Sequence, residues 1–153
     1  MLKIYTTKNY KQTQKLGEKL AKEVLALRRA RGENNSAVVL GLSGNLGGGK
    51  TTFLQGFAKG LGIKEKILSP TFVIQKKFQI TNSKFTNFYH IDYYRLKNEK
   101  DILELGLKEI MKNPENIVAI EWPEKIKKAL PKYVIMAEFK FIDKNKREIN
   151  LKT

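Results

Sequence analysis

Apolar residues fall along this chain in two rhythms, one spaced for helices and one for strands. Leu16, Leu20, Val24 and Leu27 form a stripe at helical spacing, with Lys and Glu on the other faces. The stripe predicts a helix capped at Thr7 or Asn9 and running to about Arg31. Phe53, Leu54, Phe57, Ala58 and Leu61 repeat at three and four, so a second helix is expected from Thr51 to Leu61, ended by Gly60 and Gly62. Between the two helices, Ala37 to Leu42 is an unbroken apolar run suited to a buried strand. Asn116 to Glu121 is a second such run, and it ends in a carboxylate.

Alternating patterns fill most of the remainder. Leu2 to Thr6 predicts a short opening strand. A strand is expected through Ile80, a turn at Asn82-Ser83, and a returning strand from Lys84 to Asp92. Large residues occur on both faces of that return, so both faces should be covered. Short helices are predicted over Asn98–Leu103 and Gly106–Met111, the second ended by Asn113-Pro114. Trp122-Pro123 should turn into a helix ending near Leu130-Pro131. Tyr133–Ile142 and Arg147–Leu151 predict a closing antiparallel pair around Asp143-Lys144-Asn145. With no internal repeat or linker, one domain is expected across residues 1–153.

The junction of the first buried strand with the second helix carries the chemistry. Gly44-Asn45-Leu46-Gly47-Gly48-Gly49-Lys50-Thr51 fits the phosphate-binding pattern G-x-x-x-x-G-K-[ST] at every fixed position. The glycines allow positive φ and close approach of an anion, and successive backbone N–H groups then point inward as a nest. The following helix adds its unpaired N–H groups and the positive end of its dipole. Lys50 brings a full charge to the β- and γ-phosphates, and the Thr51 hydroxyl suits Mg²⁺. Leu46, Gly47, Gly48, Gly49, Lys50, Thr51 and Thr52 are the candidate nucleotide contacts. The fold class expected around them is α/β: a three-layer P-loop domain with a mixed sheet, a parallel core joined by antiparallel strands.

Nucleotide hydrolysis also needs carboxylates for the metal and the attacking water. Asp92 and Glu121 each end a strand-like run, and both should emerge beside the loop at the carboxyl ends of parallel strands. Asp92 could equally cap the turn through Tyr93-Tyr94-Arg95, and Glu121 could sit in a surface ion pair. Ser69-Pro70-Thr71-Phe72 is a rigid turn in which Thr71 either senses the γ-phosphate or bonds the local backbone. His90 reads as a hydrogen-bonded strand residue rather than an acid–base catalyst. Trp122 either packs on the site or belongs to the core.

Composition narrows the class. No cysteine is present, so disulfides and Cys-based zinc sites are excluded, and His90 is the single histidine. No apolar run approaches the ~18 residues of a membrane span, and the first residues do not resemble a signal peptide. A cytoplasmic protein with no membrane attachment is expected. The formal charge of +15 comes mostly from Lys spread along the whole chain. It predicts a generally solvated basic surface rather than a dedicated nucleic-acid box.

The phosphate loop, then Ser69-Pro70-Thr71-Phe72, then His90-Ile91-Asp92-Tyr93-Tyr94-Arg95-Leu96, then Ile120-Glu121-Trp122-Pro123-Glu124 occur in this order. Together they resemble the bacterial tRNA threonylcarbamoyladenosine biosynthesis protein family TsaE, also called YjeE. Leu16-Gly17-Glu18 and Leu105-Gly106-Leu107 also fit. One departure is Val73-Ile74-Gln75-Lys76-Lys77-Phe78, where relatives more often carry a Thr-Leu-Val run and an aromatic.

The resemblance implies an ATPase subunit that binds ATP with Mg²⁺ and docks on the proteins TsaD and TsaB, meeting tRNA through that complex. It implies that Lys50 holds phosphates and that Thr51 and Glu121 bind Mg²⁺. It makes Asp92 a metal-site or water-positioning acid, puts Thr71 in a switch-like segment and sets Trp122 beside the site. Two other readings remain: a small P-loop kinase, weakened because Arg95 and Arg147 are the only arginines after the loop, and a nucleotide-switched tRNA-binding accessory module.

Overall fold

The structure, a computed structural model, describes residues 1–31, 35–68, 75–81, 83–98, 100 and 106–153, and of residues 27–31 the backbone alone. Its strands are β1 (Leu2–Thr7), β2 (Val38–Ser43), β3 (Gln75–Gln79), β4 (Asn87–Asp92), β5 (Asn116–Glu121), β6 (Ile135–Phe141) and β7 (Arg147–Lys152). Its helices are α1 (Tyr10–Arg31), α2 (Lys50–Gly60) and α3 (Leu107–Lys112). The strands form one seven-stranded sheet in the order β1-β7-β6-β2-β5-β4-β3. β6, β2, β5 and β4 run parallel, while β3, β7 and β1 are antiparallel to their neighbours. The mixed sheet with a parallel core is therefore present.

Alternation along each strand divides the core in two. Leu40, Leu42, Phe88, Ile117 and Ala119 face α1 and α2, whose Leu16, Leu20, Val24, Phe53, Leu54 and Phe57 fill that side. Val39, Ile91, Val118 and Ile120 face the opposite way, where Tyr93, Leu107, Met111 and Ile126 cover them. Large residues on both faces of β4 are thus buried. Of the two cap candidates for α1, Asn9 serves: its Oδ1 accepts from the Gln12 N–H at 2.9 Å, and Gln12 Oε1 accepts from the Lys8 N–H at 2.8 Å. Thr7 instead pairs its hydroxyl with Thr13, 2.8 Å away and buried.

The helices α1 and α2 touch backbone to backbone. A Cβ on Gly56 would stand 1.8 Å from the Gln14 carbonyl oxygen, a gap no rotamer can open. Gly56→Ala should force the two helices apart and cost about 3 kcal/mol. That corresponds to a fall in Tm of roughly 6–12 °C for a chain of this size, measurable by thermal denaturation. A melt unchanged within a degree would show that the contact is not rigid.

The structure departs from the sequence reading most at β4, after Trp122 and at β6. β4 begins at Asn87 rather than Lys84. The Ser83 hydroxyl accepts from the Phe85 N–H at 3.1 Å, and the Thr86 N–H donates to the Glu115 carbonyl at 2.9 Å. That local bonding holds a bend which buries Phe85 before pairing starts. The helix expected after Trp122 is a 3₁₀ segment over Pro123–Ile126 followed by turns. Its bonds run from Lys125 N–H to Trp122 O and from Ala129 N–H to Ile126 O. Trp122 enters it in the left-handed conformation, and Lys125 is drawn to the carbonyls of Tyr94 and Leu96, which leaves tight turns in place of an α-helix. The closing pair β6–β7 is antiparallel as expected, but β6 joins the parallel core beside β2. The expected start of β3 and most of the helix expected at Asn98–Leu103 lie outside the described residues.

Candidate functional site

Between β2 and α2 the chain makes the turn that its glycines allow. Gly44, Gly47 and Gly49 have φ of 130°, 75° and 98°, values an L-residue rarely adopts. Gly49 is the last residue before α2, and the Gly48 N–H closes a tight turn onto the Asn45 carbonyl at 3.0 Å. A Cβ on Gly44 would meet the Phe139 carbonyl oxygen at 2.5 Å, so β6 forms a wall behind the loop. Leu46 is exposed at the tip, while Thr51 and Thr52 are half-buried at the start of α2.

Lys50 is buried, with its Nζ donating to the Gly44 carbonyl at 2.6 Å and standing 4.3 Å from the centre of the Trp122 ring. Burial pushes its pKa below the usual lysine range. The nearby Glu121, Asp92 and Glu124 carboxylates oppose that shift. Those opposing charges locate the site: both candidate acids act on the loop lysine.

Strand register accounts for this. Asp92 pairs with Glu121 across β4 and β5, and Glu121 pairs with Leu42 across β5 and β2. Both acids therefore end their strands at the level where β2 enters the loop. By alternation they share the face of Phe88, Ala119 and Leu42, on which α2 lies. Asp92 is half-buried, and burial is the main influence raising its carboxyl above the ordinary range, with Glu121 adding to it. The Tyr94 N–H donates to Asp92 Oδ1 at 2.9 Å, which opposes that rise. Asp92 thus both caps the turn and faces the lysine.

Glu121 is 3% exposed, and its Oε2 lies 2.7 Å from His90 Nε2. It is not in a surface ion pair, and the hydrogen-bonding role expected of His90 is directed at this acid. Trp122 is the one non-glycine residue with positive φ among the described residues, at 61°. This conformation lays its ring on Lys50 and 5.2 Å from the Tyr94 ring. Lys125 Nζ holds that corner through the carbonyls of Tyr94 and Leu96. Thr71 lies outside the described residues.

Arg147 was not singled out from sequence. At the start of β7, its Nη2 donates to the Gly47 carbonyl at 3.2 Å. A lone arginine after a polar turn carries no local signal. Only the insertion of β6 and β7 beside β2 brings it to the loop.

These residues suit a nucleotide and a hard cation. The glycine turn leaves room where a Cβ would intrude, and the Asp92 and Glu121 carboxylates are of the oxygen chemistry that Mg²⁺ prefers. Among the described residues, no three His, Asp or Glu cluster into a metal site by themselves. No helix among them is long and apolar enough to cross a membrane.

Comparison with known proteins agrees with this arrangement. A protein named tRNA threonylcarbamoyladenosine biosynthesis protein TsaE from Treponema pallidum is 36% identical over 119 residues, covering 78% of this chain and 83% of its own. A Bacillus subtilis protein of the same name is 40% identical over 111 residues, covering 72% of this chain and 66% of its own. The crystal structure of Bacillus subtilis YdiB superposes with a TM-score of 0.74 at 27% identity, over 99% of this chain and 84% of that one. The family model described as threonylcarbamoyl adenosine biosynthesis protein TsaE matches residues 7–149, and the chain belongs to the TsaE family.

Proposed function

We propose that this chain is a Mg²⁺-dependent ATPase subunit of the machinery that makes threonylcarbamoyladenosine in tRNA, and that it acts with TsaD and TsaB rather than as the transferase. The observation that carries this reading is the convergence of Lys50, Asp92 and Glu121 at the carboxyl ends of the parallel strands. The family's name supplies the pathway. In this reading residues 1–153 work as one domain in the cytoplasm, and tRNA is met through the partner complex.

The loop's N–H groups and α2's amino end bind the phosphates of ATP, and Lys50 neutralises the β- and γ-phosphates. Thr51, Asp92 and Glu121 are the residues that would hold Mg²⁺, which when bound offsets phosphate charge and polarises the bond to the leaving group. Asp92, oriented by the Tyr94 N–H, also orients the attacking water. Trp122 covers the lysine and excludes bulk water from one side. Thr71 belongs to the segment that responds to the γ-phosphate.

Phosphate release from ATP, measured for the purified chain alone and with TsaD, TsaB and tRNA, tests the reading. Slow turnover alone and a rise of about tenfold or more with the partners is the expected result. Nucleotide binding with no turnover under any condition would favour a non-hydrolysing switch. Fast turnover untouched by the partners would remove the docking account.

A further inference from the structure

The C-terminal hairpin grips the phosphate loop through one side chain. Arg147 Nη1 donates to the carbonyls of Asp143 at 2.6 Å and Lys146 at 3.0 Å, both in the hairpin turn, while Nη2 reaches the Gly47 carbonyl at 3.2 Å. Its guanidinium lies on the Phe141 ring, 4.7 Å from the centroid. Its Cγ would stand 3.7 Å from a Cβ placed on Gly49. All three polar contacts are to backbone carbonyls, and among the described residues no carboxylate lies within ion-pair distance of it. A planar fork is suited to this task, since it bonds two segments at once in fixed geometry.

We infer that Arg147 is a positioning residue for the phosphate loop. It holds the Gly47 carbonyl outward against the hairpin and so fixes the peptide whose Gly48 N–H closes the turn onto Asn45, and it leaves its own charge beside the bound anion. The inference rests on the reading of this loop as a nucleotide site. Charge alone would not explain the arrangement, because a lysine at 147 could reach the Gly47 carbonyl or the turn but could not bridge both rigidly.

The test uses Arg147→Ala, Arg147→Lys and, as a hairpin control, Lys140→Ala, which breaks only the exposed Lys140–Glu148 pair at 3.4 Å. Two readouts are taken: titration with a fluorescent ATP analogue, and hydrogen exchange of the Gly48 amide in ligand-free protein. Arg147→Ala should weaken analogue binding about tenfold or more and speed Gly48 exchange. Arg147→Lys should recover only a minor part of either loss, and Lys140→Ala should match the unmutated chain in both.

Binding within twofold in Arg147→Ala, with the unmutated chain binding normally, would overturn the inference. Full recovery by lysine would overturn the tether as well. Equal losses in Lys140→Ala would reduce Arg147 to general hairpin stability. If the unmutated chain bound no analogue, the nucleotide reading itself would fail, while Gly48 exchange would still report on the tether.

Discussion

Lys50→Ala should bind a fluorescent ATP analogue at least about 100-fold more weakly than the unmutated chain, while its fold survives. The site predicts both halves of that result. Burial disfavours the lysine's charge, and three carboxylates only partly offset this. The side chain is therefore kept at a cost to the free protein that only an anionic ligand can reverse. Among the described residues its Nζ donates to the Gly44 carbonyl at 2.6 Å and lies 4.3 Å from the centre of the Trp122 ring. Removing it orphans one carbonyl at an open loop, where water can replace the donor, so the melting temperature should move by only a few degrees. Lys50→Met, which keeps an apolar side chain of similar length, should melt still closer to the unmutated chain yet bind just as poorly. An analogue affinity unchanged in either variant would show that the loop does not hold phosphate through this residue.

Much of this site was legible before any coordinates because its signals are local. The loop pattern is contiguous, and the helix after it shows its buried face at three and four. The two strands that end in acids read as apolar runs, so Asp92 and Glu121 were named from sequence. What could not be read depends on register between distant strands. His90 and Glu121 are 31 residues apart, and their pairing at 2.7 Å follows only once β4 and β5 lie parallel with Asp92 opposite Glu121. Arg147 is 100 residues from Gly47 and joins the loop only because β6 takes its place next to β2. The 3₁₀ segment after Trp122 escaped for a different reason. Its composition suits a helix, but the left-handed turn at Trp122 leaves tight turns in its place, and Lys125 is drawn aside to the carbonyls of Tyr94 and Leu96.

The basic surface also looks different once the sheet is known. Lys50 is a buried lysine, whereas most others lie on exposed positions, consistent with a solvated face. In the proposed chemistry the charges at the loop are those of Lys50, bonded to the Gly44 carbonyl, and Arg147, bonded to the Gly47 carbonyl. One is enclosed by the acids and the indole, and the other is braced by the hairpin. Salt should therefore screen general association with acidic partners far more than nucleotide binding at the loop.

Glu121 is where structural and chemical roles meet, and substitution can separate them. Glu121→Ala should do two things at once. It removes a carboxylate from the cation's donor set, and it strands the buried His90 ring, an omission that costs about 1–3 kcal/mol. The melt should then fall by roughly 2–12 °C, and lost activity alone would say little. Glu121→Gln resolves this. An amide can either donate to or accept from an imidazole nitrogen, so it can keep the contact with His90 whichever tautomer is present, and it fills the same volume. Its melt should stay within roughly 3 °C of the unmutated chain, while Mg²⁺-dependent turnover with TsaD and TsaB falls by roughly 100-fold or more, because the charge that would hold the cation is gone. Turnover per folded molecule that holds in Glu121→Gln, alongside a collapsed melt in Glu121→Ala, would make the acid a structural partner of His90. Asp92 would then be left as the one strand-end carboxylate available to the reaction.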